Sequence, residues 1–448
     1  MRYGDGPLVK TALPQGSFNL HWFSLFNAVS FQIMMGAPII VYAKSLGASS
    51  TILGIIAAFT PLMTIFQLPA AQHLDRFGYR QFVLMGWGMR SALIFLVAAI
   101  PLAAFLDDVS KLVSLLALLF LFNLLRGISS AAWMPWIVHL IPEDVRGRFL
   151  SIDQFFMYFG CLLSLLASAL VIAGPVSPWD YALVFLISAF GGVISLVFIK
   201  KIPEVEPGEA MRLSSQKVPW RAMLAYAPFR ELLVFNIIYA TVLGSLGVFA
   251  VEFLREYSHF NVDTVLYLSA LSFAGALIVL PFCGWVVDST GSKPLMQIAT
   301  GMFGIVIVGW GLIAANVLPC SASLVAALNV LTGVASANFN LANVRITMAT
   351  MPKMGSNHFF ALFTVITSLG LGGAPVAWGL ILDAIGSYEA VTGVFHWRRH
   401  SIYFFALLAL NTIAFAYIRR LHESSAFKGG ASSLFYEHLK RLSRFWHR

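Results

Sequence analysis

Apolar stretches long enough to cross a hydrocarbon core recur from Phe18 to Leu421 with only short polar breaks, and this restricts the fold more than any other feature of the sequence. A spanning helix takes about 20 apolar residues, because each residue advances about 1.5 Å through a core about 30 Å thick. Lipid offers no partner to an open backbone N–H or C=O, so such segments are helices. Twelve are expected, at 18–43, 50–74, 81–105, 112–140, 147–173, 179–200, 229–253, 263–287, 295–315, 321–350, 357–385 and 400–420. With 59% hydrophobic and 11% charged residues, nothing of soluble-domain size remains. The segment before the first span, 1–17, is polar and lacks the apolar core and cleavage site of a signal peptide.

Basic residues give the orientation. Of 29 Lys and Arg, 21 fall in loops or tails on the side that holds both termini and five on the other, with Arg90, Arg126 and Arg345 inside spans. The positive-inside rule then puts both termini in the cytoplasm of a cell that carries the chain in its inner or plasma membrane. The net charge of +9 is spread over loops, not gathered on one soluble face, so nucleic acid is not expected as a partner. Cys161, Cys283 and Cys320 lie singly in apolar runs and read as small core residues, with neither disulfide nor zinc spacing.

The longest break, 201–228, carries Pro203, Pro207 and Pro219 and divides two sets of six spans, 18–200 and 229–420. The same marks return in both sets. Asp75 closes the second span and Asp288 the eighth, 213 positions on; Lys200-Lys201 and Arg419-Arg420 close the sixth and twelfth at an offset of 219; Lys44 and Arg255 add an offset of 211. Three pairs in one order indicate an internal duplication.

The loop Ala71-Gln72-His73-Leu74-Asp75-Arg76-Phe77-Gly78-Tyr79-Arg80 resembles the signature of the major facilitator superfamily, and Gly284 to Lys293 resembles its degenerate copy. Asp75, Arg76, Gly78 and Arg80 fit, as do Gly284, Asp288, Gly291 and Lys293; Ala71, Tyr79 and Ser289 depart. The resemblance implies an all-α fold of two pseudo-symmetric six-helix bundles, with helices one, four, seven and ten around a central cavity. It also implies that Asp75 meets the start of helix eleven near Asn357 in the outward-facing state. Without the family, the same loop reads as a tight turn at Gly78, with Arg76 and Arg80 among anionic headgroups and Asp75 seeking a positive partner. The alternative is a topology anchor without a gating role. Arg146 and Arg148, in the loop from 142 to 148, read either as gate residues or as a solvated turn.

Ionisable residues at bilayer depth need a partner or a wet cavity. Arg90 falls on the third helix and is expected to pack against helix two or four. Arg126 opens Arg126-Gly127-Ile128-Ser129-Ser130, which resembles a facilitator pattern on helix four, and is expected either to face solute or to pair structurally. Asp153 and Arg345 stand at similar depth in the two halves, and a cross-half pair between them is expected to help close the cytoplasmic gate in the outward-facing state. Polar residues Asn27 and Gln32, Asn236 and Tyr239, and Asn338, Asn340 and Asn343 are candidate solute contacts, with Trp133 as a stacking surface. No carboxylate stands at the midplane: Glu252 and Asp383 fall near the far ends of helices seven and eleven, so a proton-coupling site is not evident.

The segment 421–448 alternates Leu434, Phe435, Leu439, Leu442, Phe445 and Trp446 with Lys440, Arg441, Arg444 and Arg448, which suits an amphipathic helix on the anionic cytoplasmic leaflet. No nucleotide loop, metal spacing or nucleophile motif appears, so neither an enzyme nor a cofactor is expected. The chain reads as a monomeric secondary transporter of a small polar solute such as a sugar, nucleoside or organic acid. Lipophilic efflux, or a transport-silent sensor or assembly factor, are the alternatives.

Overall fold

The computed structural model describes residues 17–71, 73–141, 143–204, 220–350 and 356–422, which are helical apart from one β-hairpin and short connecting turns. Among them, twelve helices are long and apolar enough to cross a membrane, as expected. The first bundle holds α1 (Ser17–Met35) and α2 (Ala37–Ser45) as one span, and α3 (Ser50–Thr64) with α4 (Gln67–Ala71) as the second. A short α5 (Leu74–Phe77) precedes α6 (Tyr79–Ala99), α7 (Asp108–Leu140), α8 (Glu143–Val171) and α9 (Pro178–Ile199). After α10 (Trp220–Ala225) the second bundle runs through α11 (Ala227–Tyr257), α12 (Val262–Thr290), α13 (Ser292–Ala314), α14 (Ala322–Thr350), α15 (Ser356–Ile385) and α16 (Arg399–Tyr417).

The duplication is visible in the packing. Helix α1 lies on α8 and α9, α6 between α7 and α9, and α3 on α7. Helix α11 lies on α15 and α16, α13 between α14 and α16, and α12 on α14, which is the same scheme six spans later. The bundles meet along two symmetric seams, α3 against α15 and α8 against α12, with α2 touching α11 beside the first. Small residues bring the first seam together: a Cβ on Gly54 would stand 2.3 Å from the Pro375 carbonyl, and one on Gly379 2.5 Å from that of Ser50.

Both signature turns are built on a left-handed glycine. Gly78 has φ +74° between the second and third spans, and Gly291 has φ +87° between the eighth and ninth. Any other residue would be strained at either place.

Two features lie outside the expected pattern. The first span breaks at Gly36, followed by Pro38 in the first turn of α2, although the Gly36 N–H still bonds the Gln32 carbonyl at 2.8 Å. Between spans eleven and twelve, β1 (Glu389–Thr392) pairs antiparallel with β2 (Phe395–Arg398). Gly393, with φ +62°, opens its two-residue turn, the type II′ arrangement. His396 N–H bonds the Ala315 carbonyl at 3.0 Å, which fastens this hairpin to the end of α13. By helix parity the hairpin marks one end of the bundles; α1 begins and α16 finishes at the other, the terminal end.

Candidate functional site

A cavity of about 690 Å³ lies between the bundles. Spans one, two and five contribute to its wall from the first bundle, and spans seven to eleven from the second. Its polar lining comprises Gln32, Thr60, Thr64, Ser269, Ser272, Asn329, Thr332, Ser336 and Ser368; Phe31, Phe273 and Trp310 add aromatic faces. No Asp, Glu, Lys, Arg or His is among the described lining residues. The volume falls within the roughly 300–1,000 Å³ that small-molecule pockets occupy.

Toward the hairpin end, the bundles are joined by charge. Glu252 of α11 is fully buried, and its carboxylate accepts from Ser50 Oγ at 2.6 Å and Lys44 Nζ at 3.1 Å, both in the first bundle. Arg399 stands 3.6 Å and His400 Nε2 3.7 Å from the same carboxylate, and Lys44 and Arg399 both also pair with Glu256. Beside this cluster the Asp383 carboxylate receives the backbone N–H groups of Ser50 at 3.0 Å and Thr51 at 2.8 Å, at the start of α3. A carboxylate at a helix N-terminus accepts open N–H donors and opposes the positive end of the dipole. Two acidic residues of the second bundle thus hold the first turn of one helix of the first.

Of the nine candidate solute contacts, Gln32 lines this cavity. The others are engaged elsewhere. Asn27 receives the Arg90 guanidinium, which is 1% exposed and lies over Trp87 at 5.4 Å and Phe122 of helix four at 5.2 Å. Arg126 stands 4.7 Å over the ring of the lining residue Phe31. Asn343 donates to Asn236 at 2.9 Å, joining α14 to α11. Tyr239 stacks on Phe339 at 3.5 Å, and Asn338 receives the Cys283 thiol at 3.5 Å. Asn340 is exposed and interacts with Tyr158 of the first bundle. Trp133 sits in an aromatic cluster with Phe23 at 4.8 Å and Trp87 at 5.3 Å, so it serves packing and not stacking on a solute in this cavity.

The Asp153–Arg345 pair is expected of the outward-facing state; in this structure Asp153 is bonded within its own bundle. Asp153 receives Ser24 Oγ at 2.7 Å and meets His21 Nδ1 at 3.3 Å, both on α1 of its own bundle. The reason is proximity: α1 packs directly against α8, which carries Asp153. The signature loops also do more than face headgroups. Glu204, just beyond α9, accepts the Arg80 backbone N–H at 3.1 Å and pairs with its side chain at 3.5 Å. Lys293 donates to the Arg419 and Leu421 carbonyls at 3.1 and 2.8 Å, at the end of span twelve. In both copies the loop's basic residue holds the last helix end of its own bundle. Arg76 lies over Phe77 at 5.8 Å. The side chains of Asp75, Arg146, Arg148, Asp288 and Asn357, and the tail from 423, lie outside the described residues.

Sequence reasoning noted Glu252 and Asp383 only as carboxylates near span ends. The signal that could have joined them to the first bundle was the matched pair Lys44 and Arg255, since each basic residue closes a first helix of its repeat at the same end.

Comparison with known proteins gives a consistent result. A family model described as Major Facilitator Superfamily matches residues 22–317 and 232–446. Sialin of Ovis aries is 25% identical over 341 residues, 67% of this chain and 66% of the relative, so the chain spans about two thirds of the length of that curated protein. A D-xylose-proton symporter structure is similar with a TM-score of 0.70 at 15% identity, covering 92% of this chain and 98% of the other. The inward-open xylose transporter XylE from E. coli gives 0.68 at 13%, covering 93% and 98%. A point variant of the nucleoside transporter NupG gives 0.67 at 11%, covering 91% and 100%. At these identities the structural likenesses carry the fold.

Proposed function

The chain belongs to the Major Facilitator Superfamily, and on that premise we propose that it carries a polar organic solute across the membrane by alternating access. The observation that carries this reading is the cavity between the bundles, walled by both and lined by amides and hydroxyls among aromatic faces. Rocking two bundles about such a space exposes it to one side at a time. The Glu252 cluster and the Asp383 cap act as the gate at the hairpin end, and the positive-inside rule makes that end the outside. The structure then represents a state closed to the exterior, with both termini in the cytoplasm.

Sugars and nucleosides suit this lining, and the neighbouring structures of a xylose symporter and a nucleoside transporter support that range. Lipophilic efflux suits it less, because amides and hydroxyls contributed by five spans would have to be desolvated against an apolar solute. Reconstitution tests the reading: proteoliposomes preloaded with unlabelled sugars, nucleosides and organic acids are assayed for counterflow of labelled counterparts. Saturable flux above protein-free vesicles is expected for at least one class. Absence of flux across the panel, with no thermal shift of the purified protein by any member, would favour a transport-silent sensor or assembly factor instead.

A further inference from the structure

Most polar groups lining the cavity have committed a hydrogen atom. Thr64 Oγ1 donates to the Thr60 carbonyl at 2.8 Å, Ser269 Oγ to that of Val265 at 2.7 Å and Ser272 Oγ to that of Ser269 at 2.8 Å. Thr332 Oγ1 donates to the Leu328 carbonyl at 2.7 Å and the Asn329 amide to that of Val325 at 3.0 Å, while Thr60 Oγ1 donates to Asn123 Oδ1 at 2.9 Å. A hydroxyl bonded back to its own helix keeps its lone pairs, and an amide used in this way keeps its carbonyl oxygen and its second N–H. These six groups therefore offer acceptors to anything in the cavity. Donors are fewer among the described lining residues: Gln32, Ser336, Ser368, the second N–H of Asn329 and the Trp310 indole supply them.

Charge completes the argument. An ion entering a space without a charged wall loses hydration that nothing there replaces. A carboxylate is worse placed than a cation, because it is acceptor-only and meets a wall richer in acceptors than in donors. Arg126 stands 4.7 Å over the ring of the lining residue Phe31 and is not itself among the described lining residues. We propose that the solute is uncharged and presents several O–H or N–H donors, and that the cavity rejects carboxylates. This rests on the transport reading above and narrows it, setting aside the organic acids.

Matched solutes test it. D-glucose, D-glucuronate and D-glucosamine share one ring and differ in charge, as do uridine and its 5′-carboxylate. In counterflow, the neutral member of a set should exceed its charged partners by at least tenfold. Thr332→Val, which keeps the shape and removes an acceptor, should raise the half-saturation concentration about fivefold or more for that neutral solute while leaving the unliganded melting temperature unchanged. Equal or greater flux of a carboxylate member overturns the proposal and would mean that Arg126 reaches the solute. If neither set moves but another solute of the wider panel does, the charge of that solute decides in the same way. No flux for any solute removes the transport reading itself, which separates the two failures.

Discussion

Glu252→Gln should open the hairpin end. The substitution keeps the size of a fully buried side chain and its contact with Ser50, and removes its charge from Lys44 and Arg399. Breaking a buried ion pair outright costs about 3–5 kcal/mol. Here both cations retain Glu256, which is more exposed, and Lys44 is itself 22% exposed, so a loss of about 2 kcal/mol is the reasoned figure. At about 1.4 kcal/mol per factor of ten, that shifts the ratio of closed to open hairpin ends by roughly 30-fold, from about 99:1 to about 3:1 if closure dominates at the start. Spin labels on cysteines at the exposed positions Ser45 and Glu389 report on the two bundles, after Cys161, Cys283 and Cys320 are replaced. Pulsed dipolar spectroscopy should then show a second, longer distance in the variant that is minor in the parent. A distribution unchanged to within threefold would refute the assignment of this cluster as a gate.

Gly54→Ala should cost about 1–3 kcal/mol and slow transport, because its methyl would meet the Pro375 carbonyl along a seam that has no slack; thermal unfolding in detergent measures the first and counterflow the second. Lys293→Met removes two charge-assisted bonds to the end of span twelve and should lower stability by about 1–3 kcal/mol, whereas Glu204→Gln, acting at a more exposed clasp, should lower it by less than about 1 kcal/mol. Arg90→Ala should destabilise by about 3–4 kcal/mol through the emptied space between Trp87, Phe122 and Asn27, yet leave the half-saturation concentration of any folded protein unchanged. A rise in that concentration without loss of stability would instead place Arg90 at the solute.

Hydropathy and the repeat made the architecture legible because each depends on short-range pattern. Twelve spans follow from length and apolarity, and the paired loops around Asp75 and Asp288 state the duplication that the packing repeats. The site was less legible because its parts lie far apart in sequence. Glu252 gains its meaning from Lys44 and Ser50, about 200 positions earlier, and from Arg399, about 150 later. Asparagine content on helices one, seven and ten was readable, but not the direction each amide faces. Asn27 turns to Arg90, and Asn236 and Asn343 turn to one another, so residues that looked free for solute spend their hydrogen bonds between helices. The cavity hydroxyls were passed over for the opposite reason, since serines and threonines in spans ordinarily bond their own helix and only a shared wall distinguishes these.

The clasps at Arg80 and Lys293 carry a consequence for biogenesis. Each is closed by residues of a single half: Arg80 needs nothing beyond Glu204, and Lys293 nothing before its own repeat. A ribosome that has released residue 204 has therefore supplied both partners of the first clasp before the seventh span enters the membrane. The second half can insert beside a clasped neighbour, and the salt links through Glu252 and the cap by Asp383 are the last to form, when the two bodies dock.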